Sequence, residues 1–388
     1  MEKNLLLAIV SLFWFAQYVY VPQQAPYLLQ VGTMPYLVGI VVGAYGLTQL
    51  LLRLPTGILA DCQGNHKRFI LFGIIAAGTA SLLRVYSPDV YGFLLGNLLS
   101  GAASTMWISF MVLYSSYFST AELGKAMGLI NGANNFGVLM GFLACSFFYE
   151  GWGMTFLCYL SVAAAVPALL LGLKLKNPHK RQTPLPIREL VTVYKDRRLR
   201  FFSLLALLQQ GILMSTCMSF TGKVITDLGG TSFDVGFSAV TYIIAAVCSS
   251  YFAASSRAIH FGMGYWIPRV FFVLAAYCLA IPLLTNVKII FIIQVLAGVS
   301  TGMLFSYSTA EAMKNVPAGK KSTAMGFHQA VYAVGMTFVP VLAGIVAQNI
   351  SLRAAFYGES LLAILGGCLA FAFYRKEKRM RVGQFLQQ

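Results

Sequence analysis

The sequence predicts an all-α membrane protein: twelve transmembrane helices in two pseudo-symmetric six-helix bundles. Three observations predict it. Of 388 residues, 58% are hydrophobic and only 10% charged, and the mean hydropathy is +0.73. A soluble domain carries about 25% charged residues. Long uncharged runs recur, such as Leu5–Tyr20 and Phe201–Thr221, and a helix needs ~20 apolar residues to cross a bilayer. The two halves of the chain also resemble each other.

In chain order the spans fall at 5–29, 35–60, 69–86, 90–117, 126–149, 153–173, 200–223, 232–254, 265–284, 288–311, 322–347 and 353–374. Short connections, such as Gln30–Met34 and Glu150–Trp152, make sequential helices antiparallel neighbours. The first span follows one basic residue, Lys3, and no cleavage site, so it is expected to be retained. The domain expectation is an N-terminal bundle at 1–173, a basic, proline-rich cytoplasmic linker at 174–199, a C-terminal bundle at 200–374 and a short tail at 375–388.

Val38, Gly39 and Tyr45 recur 197 positions on as Val235, Gly236 and Tyr242, and Leu99, Gly101 and Met106 as Leu296, Gly298 and Met303. Ala126, Met127, Gly128 and Gly137 recur 198 positions on as Ala324, Met325, Gly326 and Gly335. Repeated halves enclosing a midplane site are how many secondary transporters are built.

The net charge of +16 would suit a nucleic-acid partner, but its distribution does not. Arg84, Lys223, Lys288 and Arg353 sit on or beside one set of loops and Arg53 lies within a span. The other Lys and Arg gather on the alternate loops and the termini. Such a bias marks the cytoplasmic side, so a multi-pass cytoplasmic (plasma) membrane protein with both termini cytoplasmic is expected, with the lipid bilayer as its medium. Seven cysteines without a CxxC pair suggest no disulfide framework. His66, His179, His260 and His328 form no metal-ligand spacing, and no Gly-x4-Gly-Lys-Ser/Thr loop is present. No enzyme activity, cofactor or metal is expected.

After the second span the chain reads Gly57-Ile58-Leu59-Ala60-Asp61-Cys62-Gln63-Gly64-Asn65-His66-Lys67-Arg68. This resembles the signature of the major facilitator superfamily, Gly-x-Leu-Ala-Asp-basic-x-Gly-basic-basic, with Cys62 as the departure. The resemblance covers the whole chain and implies a transporter that works by alternating access. Arg53, Gly57 and Asp61 are four apart and share a helix face, and Gly57 permits a close helix approach. Asp61 near a positive helix N-terminus gains ~0.3–1 kcal/mol, and the resemblance implies that this helix is the eleventh. The gating motif is therefore Arg53, Gly57, Asp61, Gly64, Lys67 and Arg68, with Asp61 read as a latch in preference to a solvated loop carboxylate. An arginine in a span costs at least ~2.5–3.5 kcal/mol unless paired or snorkelling, so Arg53 is expected to pair near the gate.

The fifth helix carries Gly128, Gly137 and Gly141, a frame that resembles part of a motif of drug-exporting members. The continuation is lost at Phe142, Cys145 and Ser146, and the eleventh helix keeps Pro340 and Gly344. Proton-coupled exporters have an arginine where this chain has Asn97. The resemblance implies that helices 1, 4, 7 and 10 line a central cavity, flanked by 2, 5, 8 and 11. Unpaired amides are costly in hydrocarbon, so the polar and aromatic residues of those helices are candidate cavity groups: Trp14, Gln17, Tyr18, Asn97, Asn131, Asn134, Gln209, Gln210, Tyr242, Gln294, Tyr307, His328, Gln329 and Tyr332. Amides and aromatics with almost no fixed charge suit a neutral or amphipathic small-molecule substrate. His328 and Glu359 are the candidates for proton coupling. His328 reads equally as a packed, hydrogen-bonded histidine.

The function expected is secondary active export of a small organic solute in exchange for protons, by a monomer. An uptake porter or proton symporter is the alternative within the class, and a non-transporting sensor or scaffold the one outside it.

Overall fold

A computed structural model of the protein describes residues 2–63, 65–118, 123–176, 191–253, 255–317 and 320–385. Among the described residues there is no strand. With no water to satisfy them, backbone polar groups in a bilayer must bond within their own helix. Eleven stretches among the described residues are long and apolar enough to cross a membrane. One, Ala126–Leu173, has 48 residues, too many for a single crossing. It is divided at Gly153, where φ is 74°, a conformation that glycine adopts without steric cost. The crossings are therefore twelve, and the turn expected at 150–152 is made at Gly153.

The helices are α1 (Glu2–Gln30), α2 (Pro35–Gln63), α3 (His66–Tyr86), α4 (Val90–Ser115), α5 (123–152), α6 (154–173), α7 (Arg197–Asp227), α8 (Ser232–Ala253), α9 (Met263–Ala280), α10 (Val287–Met313), α11 (Lys321–Asn349) and α12 (Leu352–Phe385). Residues 177–190 of the expected linker lie outside the described residues, and Val191–Lys195 is a short 3-10 turn. Helix α12 runs on to Phe385, so most of the expected tail is helical. Twelve crossings place both ends of the chain on one side, the termini face.

Three helices are broken within the membrane. A turn at residues 19–20 interrupts α1 ahead of Pro22, which lacks an N–H and fits a helix start. Helix α4 is offset at Met106. Thr216–Phe220 of α7 form a π-turn, a distortion that concentrates at functional sites. Asp89 caps α4 by accepting from Tyr91 N and Gly92 N.

The repeat is visible in the packing. Helix α1 packs on α5 as α7 does on α11, and α2 on α4 as α8 does on α10. A Cβ at Gly101 would strike the carbonyl of Tyr45, and one at Gly298 that of Tyr242. The second pair repeats the first 197 positions on, glycine for glycine and tyrosine for tyrosine. Gly137 meets the backbone of Ser11 in the same way, and Gly335 that of Leu207. Small residues at these crossings let backbones touch, which is where helix association in lipid gains its dispersion energy.

Candidate functional site

The two bundles meet along two seams, α2 with α11 and α5 with α8. Among the described residues, the α2–α11 seam is closed from Pro35 to Leu54. Gly344 abuts the backbone of Pro35 and Tyr36, Gly39 that of Pro340, and Gly43 the carbonyl of Thr337. Nearer the termini face, Arg53 Nη1 donates to the Tyr332 hydroxyl at 2.6 Å, and both residues are buried. This bond ties the buried arginine to the opposite bundle. Gly57 and Asp61 lie on the last turns of α2, but their side chains, and Gly64 altogether, lie outside the described residues. Lys67 donates to the carbonyl of Leu173 at 2.6 Å and so caps the end of α6. Arg68 is exposed.

Among the described residues, the α5–α8 seam is closed only on the side away from the termini, where Gly236 lies against the backbone of Ser146 and Phe147 packs edge-on against Phe233. Gln23 Nε2 also donates to the carbonyl of Ser232 at 2.8 Å on that side. Toward the termini face the two helices leave a cleft of about 470 Å³ that holds Asn131 and Asn135.

At the bundle interface a cavity of about 30 Å³ is lined by Gln17, Tyr18, Asn97, Tyr45, Met214 and Met218, among others. It has room for a water or so and not for an organic molecule. Its wall is a connected polar network. Gln17 donates to Ser100 O (3.0 Å) and Ser104 Oγ (3.2 Å), and Tyr45 bonds Ser104 (2.8 Å). Asn97 donates to Val41 O at 2.7 Å. Its carbonyl oxygen accepts from Arg84 Nη2 at 2.8 Å, and the same nitrogen reaches Ser100 Oγ at 2.9 Å.

Arg84 is 1% exposed, with its guanidinium 4.1 Å above the Tyr20 ring. Its hydrogen-bond partners are neutral. Sequence reasoning assigned it to a loop-side position and missed this role. A signal was available, because Arg84 is one of the few basic residues on the face that charge bias leaves empty. The cation absent at position 97 is thus supplied to Asn97 from the neighbouring helix.

The other candidates distribute as follows. Trp14 stacks edge-on with Trp107 (5.5 Å) and is tilted against Tyr18 (5.6 Å). Both side-chain polar atoms of Gln209 and Gln294 are buried without a hydrogen-bond partner, as is Gln329 Oε1. Each such amide costs ~1–3 kcal/mol while unpaired. Tyr242 is buried beside Thr301, and Tyr307 donates to Ala253 O at 3.2 Å. Asn134 and Gln210 are half-buried. His328 bonds Ser203 Oγ at 3.0 Å and Thr309 Oγ1 at 3.5 Å, and meets the Tyr332 ring edge-on. Both its ring nitrogens therefore have hydroxyl partners.

Glu359 is also buried, with Oε1 unpartnered. It sits beside Ser215 and near Cys217 and Cys278. Ser215 immediately precedes the π-turn of α7, and Met214 and Met218 on either side of it line the central cavity. Glu311, by contrast, pairs with Arg198 at the termini face, where Arg198 also reaches Glu377 at 3.2 Å.

The Major Facilitator Superfamily family model matches residues 5–287 and 226–385. The chain is 25% identical over 397 residues to a protein named "Proton-coupled antiporter flippase LtaA" from Staphylococcus haemolyticus, covering 96% of each. It is 26% identical over 140 residues to an uncharacterized transporter of Buchnera aphidicola, a match spanning 36% of this chain and 35% of that protein. Its fold superimposes with a TM-score of 0.75, at 12% identity and 96% coverage of both chains, on the inward-facing, occupied structure of a bacterial homologue of the human lysosomal transporter Spinster. Twelve crossings, paired bundles and a family model matching nearly the whole length lead to one conclusion: this chain is a membrane transporter of the Major Facilitator Superfamily.

Proposed function

We propose that the protein is a secondary active transporter that exports a small neutral or amphipathic organic solute across the plasma membrane in exchange for protons. It acts as a monomer with its termini in the cytoplasm, the side that its basic loops favour. The observation that carries the proton assignment is the placement of Glu359. An unpaired acid inside a membrane domain is a functional group by default, and this one lies against the distorted turn of α7 that forms the cavity wall. Taking up or releasing a proton there changes what Ser215 and the π-turn can bond, and so couples proton occupancy to the shape of the cavity. The hydroxyl partners of His328 favour a packing role for it.

For the solute, the unpartnered amides of Gln209 and Gln294 and the Oε1 of Gln329 offer donors and acceptors without fixed charge. The name of the Staphylococcus haemolyticus relative, a proton-coupled antiporter, supports the same direction of coupling. Purified protein in proteoliposomes, challenged with a solute panel under imposed pH and sodium gradients, tests the reading. Solute movement opposite to the proton gradient, lost in Glu359→Gln, is expected. Flux that follows sodium, or is indifferent to both gradients in the unaltered protein, would rule it out.

A further inference from the structure

The two seams are related by the repeat, yet among the described residues one is clasped on the termini side and the other is not. Arg53 and Tyr332 hold α2 to α11. Their repeat mates, 197 and 198 positions away, are Ser250 and Asn134, neither long enough to bridge. Ser250 instead bonds the carbonyls of Ala246 (2.8 Å) and Gly302 (3.3 Å) in its own bundle. The second contact is lost in the same way. A Cβ at Gly326 would meet Leu54 Cδ1 at 3.5 Å, whereas at its mate Gly128 it would meet nothing within 4 Å.

The cleft of about 470 Å³ left between α5 and α8 is within the usual range for a small-molecule site, ~300–1,000 Å³. Phe136, Ile244 and Tyr251 stand exposed on its rim, and Asn131 and Asn135 line it. Among the described residues, no charged side chain lines it. Its walls belong to membrane-spanning helices, so hydrocarbon lies outside it, where a bare amide is costly.

We infer that this half-seam is a lateral entry site for a membrane amphiphile, with a hydrocarbon chain on Phe136, Ile244 and Val247 and an uncharged, hydroxyl- or amide-bearing head on Asn131 and Asn135. The inference rests on the transporter reading and narrows its substrate class to molecules that arrive through the bilayer. The broken symmetry supplies the reason: among the described residues, only the seam that lost its clasp can part on this side without a bond being broken.

The test is photolabelling of the full-length protein in lipid nanodiscs with a diazirine-bearing long-chain alkyl glycerol ether, followed by peptide mapping. Labelling of residues 128–139 and 243–251 is expected to exceed that of the matching stretches of α2 and α11 several-fold. The double variant Asn134→Tyr/Ser250→Arg, which rebuilds the clasp, is expected to lower it several-fold. Ile244→Trp, which fills the cleft without altering any polar contact, is expected to do the same. Equal labelling of both seams, or labelling that neither variant reduces, would overturn the site. Proton-coupled flux of a water-soluble solute in a protein that shows no such labelling would overturn it too, while leaving the transporter reading in place.

Discussion

Arg53 and Tyr332 meet across the two bundles, the guanidinium donating to the phenolic oxygen at 2.6 Å with the ring centroid 5.4 Å away. A charged donor on a neutral oxygen holds the seam without forming an ion pair, so the contact can be released without stranding a second charge. Sequence spacing puts Arg53 with the gating motif and Tyr332 with the cavity; the fold joins them. Tyr332→Phe removes one bond of ~1.5–3 kcal/mol. It is expected to shift the closed-to-open balance of this seam by roughly tenfold to a hundredfold. Cysteine accessibility along the termini half of α11 reads the shift, and unchanged accessibility would mean that the bond does not latch the seam.

Glycine replacements should divide by the crossing they occupy. Gly101→Val and Gly298→Val drive a side chain into the backbone of Tyr45 and Tyr242, and overpacking of this kind costs ~1–3 kcal/mol or more. Gly128→Ala and Gly132→Ala project into open space and are expected to be neutral or to stabilise by up to ~1 kcal/mol through helix propensity. Thermal melts in detergent decide the matter. Similar losses at Gly101 and Gly128 would contradict the packing described.

Arg84 is expected to be as sensitive as any cavity residue, though it lines no cavity itself. Arg84→Met strands the Asn97 carbonyl oxygen and removes the bond to Ser100, a loss of ~1.5–3 kcal/mol for each bond to a charged group. Lower stability together with lost transport is the expected result. A variant with full flux would show that the network only packs the bundle.

Asp89 gives a pH signature outside the membrane. The Ser87 hydroxyl, with the backbone N–H groups of Gly92 and Tyr91, holds its carboxyl below the ordinary range. A group whose folded pKa is depressed stabilises the fold above its unfolded value, near ~3.9, and loses that contribution as pH falls through the folded one. Asp89→Ala should therefore cost ~0.5–1 kcal/mol at neutral pH, the low end of capping effects for so exposed a group. The gap should narrow below about pH 4. A gap that does not change with pH would refute the capping role.

Much of the fold was legible because a bilayer imposes a length and a polarity on each helix. The twelve crossings follow from apolar runs, and Gly101, Gly298, Gly137 and Gly335 were already marked by the repeat. What escaped depends on partners far away in sequence. The π-turn of α7 and the burial of Arg84 are settled by tertiary contacts that no local pattern records, whereas the break in α1 has only Pro22 to mark it. Among the cavity candidates, Gln17, Tyr18 and Asn97 converge on the central cavity. Asn131 faces the α5–α8 cleft instead, because helical spacing fixes which residues share a face but not which neighbour that face meets.

Alternating access requires the two faces to move in opposition, and distances measured across both test it most directly. Spin labels at Leu54 and Met325 report the termini face of the α2–α11 seam, and labels at Met34 and Asn349 the opposite face, in a background where the exposed Cys248 and Cys368 are replaced. Tyr332→Phe is expected to lengthen the first distance while the second stays short, and Gln23→Ala, which loosens the opposite side, to do the reverse. Distances that lengthen together, or respond to neither variant, would contradict a transporter built from two rocking bundles.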